Sequence, residues 1–272
     1  MKQTRRELIH SVCGGFSLGW MSITALQSKS RNKSRSLDEK EQMGLELLGK
    51  KRPTLIGKGY SLRTDASGAY DQMVYAASQD GITLVACSSY RSFNHQKSIW
   101  NQKFQTLSQK GLPPQSVIEQ IIEYSSIPGT SRHHWGTDVD IIDGSKAKPD
   151  DPLRTELFQK EGIYSTLYQW LKEHASTYGF YEAYPQDPNR TGFAYEPWHW
   201  SFSPLSIPFL KQYLELDLFS ILKSRDIKGY NDLTQEFLER YIHQWVLGIQ
   251  SSLIPPKTDS PSPSESEKPQ KK

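Results

Sequence analysis

The sequence predicts an α+β domain in which a small antiparallel sheet is flanked by helices. Stretches with apolar residues at helical spacing are mixed with short apolar runs that contain β-branched residues. These stretches do not follow a regular strand–helix–strand alternation, so a parallel sheet is disfavoured. The length of 272 residues is ample for one core and short for two full-sized domains.

The first half of the pattern contains three helices and one strand. Residues 67–81 have helical spacing and end in a glycine, and residues 82–89 form a short apolar run that is typical of a buried strand. A second helix is predicted over 92–111, where Pro113-Pro114 follows. A third is predicted over 115–126, where the sequence IPGTS ends it.

The second half adds two strands and more helices. Residues 137–142 alternate as a strand does, and 156–179 are amphipathic and close on a glycine. Residues 196–202 form an aromatic-rich strand. Beyond them, 207–226 and 231–249 predict one or two C-terminal helices.

The two ends of the chain differ in composition from its centre. The start is basic, with Arg5-Arg6 before a weakly apolar stretch, which is typical of an export signal of the twin-arginine type. A general secretory signal or a frayed basic tail are the alternatives. The stretch is a poor transmembrane helix, so no integral membrane domain is expected in the mature chain. The predicted organisation is an export signal (1–27), a linker (28–36), a folded domain (37–204), a helical extension (205–253) and a disordered tail rich in Pro and Ser (254–272).

Charge and cysteine content exclude several classes of function. The net charge is only +3, and the basic residues are scattered, so we expect no nucleic-acid partner. The chain has two cysteines, and Cys13 lies in the predicted signal. Removal of the signal would leave Cys87 alone, which excludes an intrachain disulfide and a metal site built on several thiolates.

The sequence SRHHWGTDVDIID, residues 131–143, contains two adjacent histidines followed by three acidic residues. It is either a polar loop or half of a metal site. A catalytic zinc site takes three nitrogen or carboxylate ligands and leaves one position open. Within this stretch the candidates are His133 or His134 and Asp138 or Asp140. A further nitrogen donor must lie elsewhere, and the best candidate is His199, which follows Glu196 by three residues.

These pieces together resemble the zinc D-alanyl-D-alanine carboxypeptidases of the VanY type, which have the Hedgehog/DD-peptidase fold. The family pattern Ser-x-His-x-x-Gly-x-x-x-Asp matches SRHHWGTDVD, and its Glu-x-x-His matches EPWH. Upstream, SSYRSFNHQ is similar to the family's Tyr-Arg-Ser…Gln segment. The resemblance covers roughly residues 62 to 202, and it selects His133 over His134 and Asp140 over Asp138.

The resemblance implies a role for each matched residue. His133, Asp140 and His199 would bind Zn²⁺. Glu196 would be the general base, and Arg91 would hold a substrate carboxylate or the developing oxyanion, with a structural ion pair as the alternative for Arg91. The implied substrate contacts are Tyr90, Ser92, Gln96 and Ser131, and for Tyr90, Gln96 and Ser131 the alternative is a supporting contact to the residues that bind the metal or the substrate.

Three features depart from the family or lie outside its motifs. Asp138 stands where relatives usually have a small residue, and it is a partner of the site, an alternative ligand or an exposed side chain. Trp198 and Trp200 are expected in the core. In the C-terminal extension, Tyr241 and Trp245 are candidates for a partner surface.

The function implied is that of an exported bacterial zinc metallopeptidase, with a peptidase domain over 37–204, that removes a terminal D-alanine from the peptidoglycan stem peptide. The alternatives are an endopeptidase on the same fold, a non-catalytic peptidoglycan-binding module, and a cytoplasmic structural protein with a polar loop. The sequence predicts no oligomeric state.

Overall fold

Short apolar runs form the strands of one antiparallel sheet. The computed structural model describes residues 37–222 and 226–256. In this part of the chain the sheet has four strands in the order β1-β2-β4-β3, and all neighbours are antiparallel. The strands are β1 (Leu84–Ser88), β2 (Asp138–Asp143), β3 (Phe180–Glu182) and β4 (His199–Phe202). The predicted α+β class with a small antiparallel sheet is confirmed.

The described residues contain eight α-helices. They are α1 (37–47), α2 (Thr64–Gln79), α3 (Phe93–Ser108), α4 (Pro114–Ile122), α5 (Ser165–His174), α6 (Ser203–Tyr213), α7 (Leu218–Leu222) and α8 (Gln235–Tyr241). Local signals explain two of the starts. The Ser92 side chain accepts a hydrogen bond from the backbone N–H of His95 and caps α3, and Pro114 occupies the first turn of α4.

The register of the central strands places three polar residues in one row across the sheet. Asp140 of β2 is opposite His199 of β4 on one side and Ser88 of β1 on the other. Asp138 is opposite Ser201. Because side chains alternate along a strand, Asp138 and Asp140 share a face of β2, while Val139 points into the apolar core. The sheet register therefore brings together residues that are about sixty positions apart in sequence.

The main core lies between the sheet, α2 and α5. Its buried side chains include Tyr70 and Met73 of α2 and Leu171 of α5. Trp198 and Trp200 belong to the same cluster, as predicted. Burial of apolar surface on this scale, at roughly 25 cal/mol per Å², is the main force that holds the sheet and helices together.

The prediction of one long helix over 156–179 is wrong for the first third of this range. A 3₁₀ turn covers Thr155–Leu157, and α5 begins only at Ser165. Between them the N–H of Tyr164 bonds to the carbonyl of Leu157, and a side chain at Gly162 would collide with that carbonyl. The turn lets Phe158 and Tyr164 both enter the core with their rings 5.1 Å apart. Tertiary packing overrides the local helical pattern here.

The helices after residue 204 contact the segment that leads into the motif at 131. The Tyr241 hydroxyl accepts a hydrogen bond from the N–H of Ile127 at 3.2 Å and lies 3.0 Å from the Thr130 hydroxyl. The Tyr213 hydroxyl donates to the Gly129 carbonyl at 2.8 Å. Tyr241 is completely buried, so the expectation that it marks a partner surface is wrong.

By its internal contacts the chain divides into residues 1–43 and residues 44–272. Of the first unit, the structure describes helical backbone from 37 onward. The predicted export signal (1–27), the linker (28–36) and the tail beyond 256 lie outside the described residues. Over 37–222 and 226–256, none of the helices has both the length and the apolar character that crossing a bilayer requires.

Candidate metal centre and catalytic cleft

A sharp turn connects the first candidate ligand to the strand that carries the second. His133 lies in a 3₁₀ turn over Arg132–Trp135, and Gly136 follows with φ of 69°. A Cβ atom at Gly136 would lie 2.7 Å from Cδ2 of Leu55. Glycine is therefore required twice here, by the left-handed backbone and by the close approach of a neighbour. The chain then enters β2, and the turn sets His133 beside Asp140.

His133, Asp140 and His199 form a buried group that can hold a metal ion. One ligand atom from each lies within 4.8 Å of the others. Nε2 of His133 is 3.3 Å from one oxygen of Asp140, and Nδ1 of His199 is 3.4 Å from the other. Among the described residues, Asp140 Oδ1 is buried without a hydrogen-bond partner. Two imidazole nitrogens, a carboxylate and an unsatisfied oxygen fit a zinc ion in their donor chemistry.

Glu196 lies beside Nδ1 of His199, the nitrogen that also faces Asp140. Its Oε2 is 3.2 Å from His199 Nδ1. The backbone fixes this position, because the N–H of Glu196 donates to the Tyr184 carbonyl and the N–H of His199 donates to the Glu196 carbonyl. Glu196 thus faces the region between the three candidate ligands, where a general base for water must lie.

Asp138 lies on the other side of His199. Its Oδ2 is 3.0 Å from His199 Nε2 and accepts a 2.7 Å hydrogen bond from Nε of Arg132. The carboxylate is fully buried. Burial alone would raise the pKa of Asp138, but the Arg132 guanidinium and the bond with His199 hold it below its usual range. Asp138 is therefore a buried, charged partner of His199, not an exposed side chain, and the group of three does not include it.

The electrostatics of the group favour a cation. Burial would lower the pKa of His199, but hydrogen bonds with Asp138 and Glu196 raise it to about 10. Burial also acts to raise the pKa of Asp140, whereas the neighbouring histidines lower it overall. The carboxylates around His199 thus stabilise positive charge at the centre of the group.

The second histidine of the adjacent pair has a structural position. His134 is fully buried, and burial lowers its pKa to about 3, so it is neutral. Its Nδ1–H donates to the Arg91 carbonyl at 2.6 Å, and its Nε2 accepts from the N–H of Gly129 at 3.1 Å. His134 therefore joins the loop before the motif to the segment that carries Arg91.

A cleft of about 470 Å³ opens over the candidate metal group, with Arg91, Glu196 and His199 in its lining. The Arg91 guanidinium donates to Gln96 at 2.9 Å and to Ser88 at 3.1 Å. Both of these partners are neutral side chains. The remaining donor capacity of Arg91 is available to a ligand in the cleft.

The structure brings only some of the predicted substrate contacts into the cleft. Ser131 lines it. Gln96 is completely buried and does not line the cleft but holds Arg91 from behind. Tyr90 and Ser92 lie elsewhere and line a separate depression, where Ser92 caps α3 and the Tyr90 ring packs against Arg52. Tyr90 and Ser92 therefore do not line this cleft, and their role as substrate contacts stays a prediction.

Other cleft residues were not found by sequence reasoning. They include Lys103, Ser125, Ser126, Arg154 and Tyr184. The Lys103 residue is exposed to solvent, but nearby protein atoms partly desolvate its ammonium group. This desolvation and the positive charge of Arg91 lower the pKa of Lys103. The one signal in the sequence was its position two helical turns after Gln96 on α3. The other residues are brought to the cleft by tertiary structure alone.

The small antiparallel sheet carries two histidines, an aspartate and an adjacent glutamate beneath an open cleft. This arrangement is typical of the site of a metal-dependent hydrolase. The family model described as VanY, D-alanyl-D-alanine carboxypeptidase, matches residues 59–205, which is more than half of the chain. The chain belongs to this family, in agreement with the resemblance found in the motifs.

Individual relatives share a similar portion of the chain. A D-alanyl-D-alanine carboxypeptidase of Enterococcus faecalis is 30% identical over 131 residues, which are 47% of this chain and 42% of the relative. The bifunctional D-Ala-D-Ala dipeptidase and carboxypeptidase VanXYC of Enterococcus gallinarum is 28% identical over 52% of this chain and 66% of its own length. The solved structure of VanYB in complex with D-alanine-D-alanine has 24% identity and a TM-score of 0.45, and the match covers 63% of this chain and 88% of that one. The chain thus spans less than half the length of the first of these relatives.

Proposed function

We propose that this protein is an exported zinc-dependent D-alanyl-D-alanine carboxypeptidase, which hydrolyses the last peptide bond of the peptidoglycan stem peptide. The observation that supports this most directly is the arrangement of the metal group. The three ligand atoms lie within 4.8 Å of one another, and Glu196 is 3.2 Å from one of them. A zinc ion held by His133, Asp140 and His199 would supply Lewis-acid activation of water and of the scissile carbonyl.

The proton transfers fall to Glu196. Its carboxylate faces the ligand group and the cleft, so it can accept a proton from the attacking water. The same carboxyl group can then donate that proton to the leaving amine of D-alanine. Because Glu196 is mostly buried and its backbone is fixed on both sides, little reorganisation is needed for either transfer.

Arg91 is the proposed partner of the free carboxylate of the substrate. Gln96 and Ser88 orient its guanidinium, which presents a rigid fork suited to a carboxylate. Gln96 is itself held, because its side-chain amide donates to the Ser126 carbonyl at 2.8 Å. A carboxylate reader near the metal group favours removal of a terminal residue over cleavage inside a peptide, because an internal bond carries no free carboxylate beside it.

The test uses the full chain with a pentapeptide stem that ends in D-Ala-D-Ala, and the products are separated by chromatography. The protein should release one D-alanine per peptide, and activity should be lost with a chelator and return with zinc. Glu196→Gln should lower kcat by about 100-fold or more, as loss of a general base does. Glu119→Gln, an exposed position on α4, is the matched control and should retain full activity.

Two results would replace the proposal. Cleavage inside the stem or of a cross-link would indicate the endopeptidase. Binding of the peptide with no cleavage by the zinc-loaded protein would indicate the non-catalytic binding module.

Export is the second part of the proposal, since the peptidoglycan substrate lies outside the cytoplasmic membrane. It rests on the basic N-terminus with Arg5-Arg6, which precedes the described residues. A fusion of residues 1–36 to a reporter should appear outside the cytoplasm. Replacement of both arginines by lysine should block this export if the twin-arginine route is used, and unchanged export would indicate the general secretory route.

A further inference from the structure

The carboxylate of Asp138 is at the centre of a fully buried polar network behind the metal group. Its Oδ2 contacts Nε2 of His199 and Nε of Arg132, at 3.0 and 2.7 Å. Its Oδ1 accepts from the Thr137 hydroxyl at 2.7 Å and from the Ser201 hydroxyl at 2.9 Å. The Arg132 Nη2 also donates to Ser201 at 2.6 Å. Both Asp138 and Ser201 are completely buried.

This network determines which nitrogen of His199 faces the metal group. An ionised carboxylate only accepts hydrogen bonds, so the Nε2 that contacts Asp138 must carry the hydrogen. Nδ1 faces Asp140 and Glu196 instead, at 3.4 and 3.2 Å. With its hydrogen fixed on Nε2, the neutral ring keeps the lone pair of Nδ1 directed at the position of the metal.

Arg132 and the two hydroxyls fix the carboxylate in turn. With donors on both of its oxygens, Asp138 has little freedom to rotate away from His199. The register of β2 and β4 places Asp138 opposite Ser201, so the sheet itself sets this geometry. Buried carboxylates that orient metal-binding histidines are known to strengthen the binding of the metal.

We propose that Asp138, held by Arg132, Thr137 and Ser201, is a positioning residue that fixes the ring of His199 for metal binding through Nδ1. The inference rests on the proposed zinc site and assigns a role to a residue outside the ligand set. The competing explanation is that Arg132 and Asp138 form an ion pair that stabilises the fold and affects metal affinity only through that stability.

The experiment measures the zinc dissociation constant of the full chain by competition with a chromophoric chelator. Asp138→Asn keeps the shape of the side chain and removes its charge, and it should weaken zinc binding by about 10- to 100-fold. The matched control is Glu182→Gln, the same change at another buried carboxylate, in β3, whose side-chain hydrogen bonds go to Tyr168 and, among the described residues, to none of the three candidate ligands. Its zinc affinity should equal that of the unmodified protein.

A double variant separates the two explanations. Asp138→Asn alone leaves Arg132 buried without its partner and can destabilise the fold. Arg132→Gln combined with Asp138→Asn removes both charges, and the stability lost in the single variant should be recovered at least in part. If Asp138 positions His199, zinc affinity stays low in the double variant. If the pair is only structural, zinc affinity returns with stability, and this result would overturn the inference.

The outcomes also distinguish this inference from the proposed function. An unmodified protein that binds no zinc contradicts the zinc site itself. Tight zinc binding by the unmodified protein and equally tight binding by Asp138→Asn leave the proposed function intact and overturn only the role of Asp138. Nitrogen chemical shifts of the zinc-loaded protein give an independent reading, because they should show His199 bound through Nδ1 with hydrogen on Nε2.

Discussion

The buried Glu182 should make the stability of this protein decline as the pH rises toward neutrality. Its side chain is 6% exposed, and its two oxygens accept hydrogen bonds from the Tyr168 hydroxyl at 3.1 and 3.2 Å. Burial outweighs these bonds and raises the pKa of Glu182 from 4.5 to about 7. Between these two values the folded protein keeps a proton that the unfolded chain has already released. Stability is therefore fully present below about pH 4.5 and falls through the folded pKa.

The size of the effect follows from the difference between the two pKa values. At roughly 1.4 kcal/mol per pKa unit, the shift costs about 3 kcal/mol once the pH exceeds the folded pKa. Glu182→Gln cannot ionise and keeps an oxygen that accepts from Tyr168. The free energy of unfolding of the variant relative to the unmodified protein should therefore rise by about 3 kcal/mol between about pH 4 and pH 8.

Urea unfolding followed by tryptophan fluorescence measures this difference, since the chain has seven tryptophans. Each protein is unfolded at several pH values across the window, and the two free energies are subtracted at each pH. The other titrating groups are common to both proteins and cancel. A difference that stays constant with pH would refute the assignment of Glu182 as a carboxyl group that is protonated near neutral pH.

Three further changes test the cleft and its supports. Gly136→Ala should destabilise the fold by about 2 kcal/mol or more, because it adds left-handed backbone strain and a 2.7 Å contact. The control Gly68→Ala has open space around it on α2 and should stabilise the fold by up to about 1 kcal/mol. Urea midpoints that shift equally in the two variants would contradict this. Arg91→Lys loses the fork that Gln96 and Ser88 hold, so kcat/KM for the pentapeptide should fall by about 10- to 100-fold, and an unchanged value would exclude Arg91 as the carboxylate partner. Tyr241→Phe leaves the buried N–H of Ile127 without its acceptor, so the free energy of unfolding should fall by about 1–3 kcal/mol in thermal unfolding. An unchanged stability would show that the hydroxyl is not needed, because water takes its place.

The central features of the fold could be predicted because their signals are local. The runs that became β1, β2 and β4 are apolar and β-branched or aromatic, and α2 and α3 have helical spacing with clear stops. β3 was missed because Phe180–Glu182 is only three residues long and gains its partners from β4. The start of α5 was misplaced because the core contacts of Phe158 and Tyr164 decide it, and no local pattern records them.

In the candidate site, too, the residues with a local sequence signal were predicted, and those that depend on tertiary packing were not. The spacing of the motifs selected His133 and Asp140, which the sheet register then places beside His199. Asp138 was left open, because its role depends on Arg132 and Ser201, and Ser201 belongs to a different strand. Tyr90 and Ser92 lie in the matched segment, but the chain turns them away from the cleft. A motif predicts which segments come together, but it does not predict the direction of each side chain, because that direction depends on tertiary packing.

The two tyrosines that join the C-terminal helices to the loop before residue 131 affect how this protein can be shortened. Tyr213 and Tyr241 hold the backbone of 127–130, which leads directly into the first candidate ligand. A fragment that ends where the motifs end would lose both hydroxyls and expose the surface that α6 and α8 cover. Shortened versions and fusions of this protein should therefore end or be joined beyond the last described turn, Ser251–Leu253, even though none of the recognisable motifs extends that far.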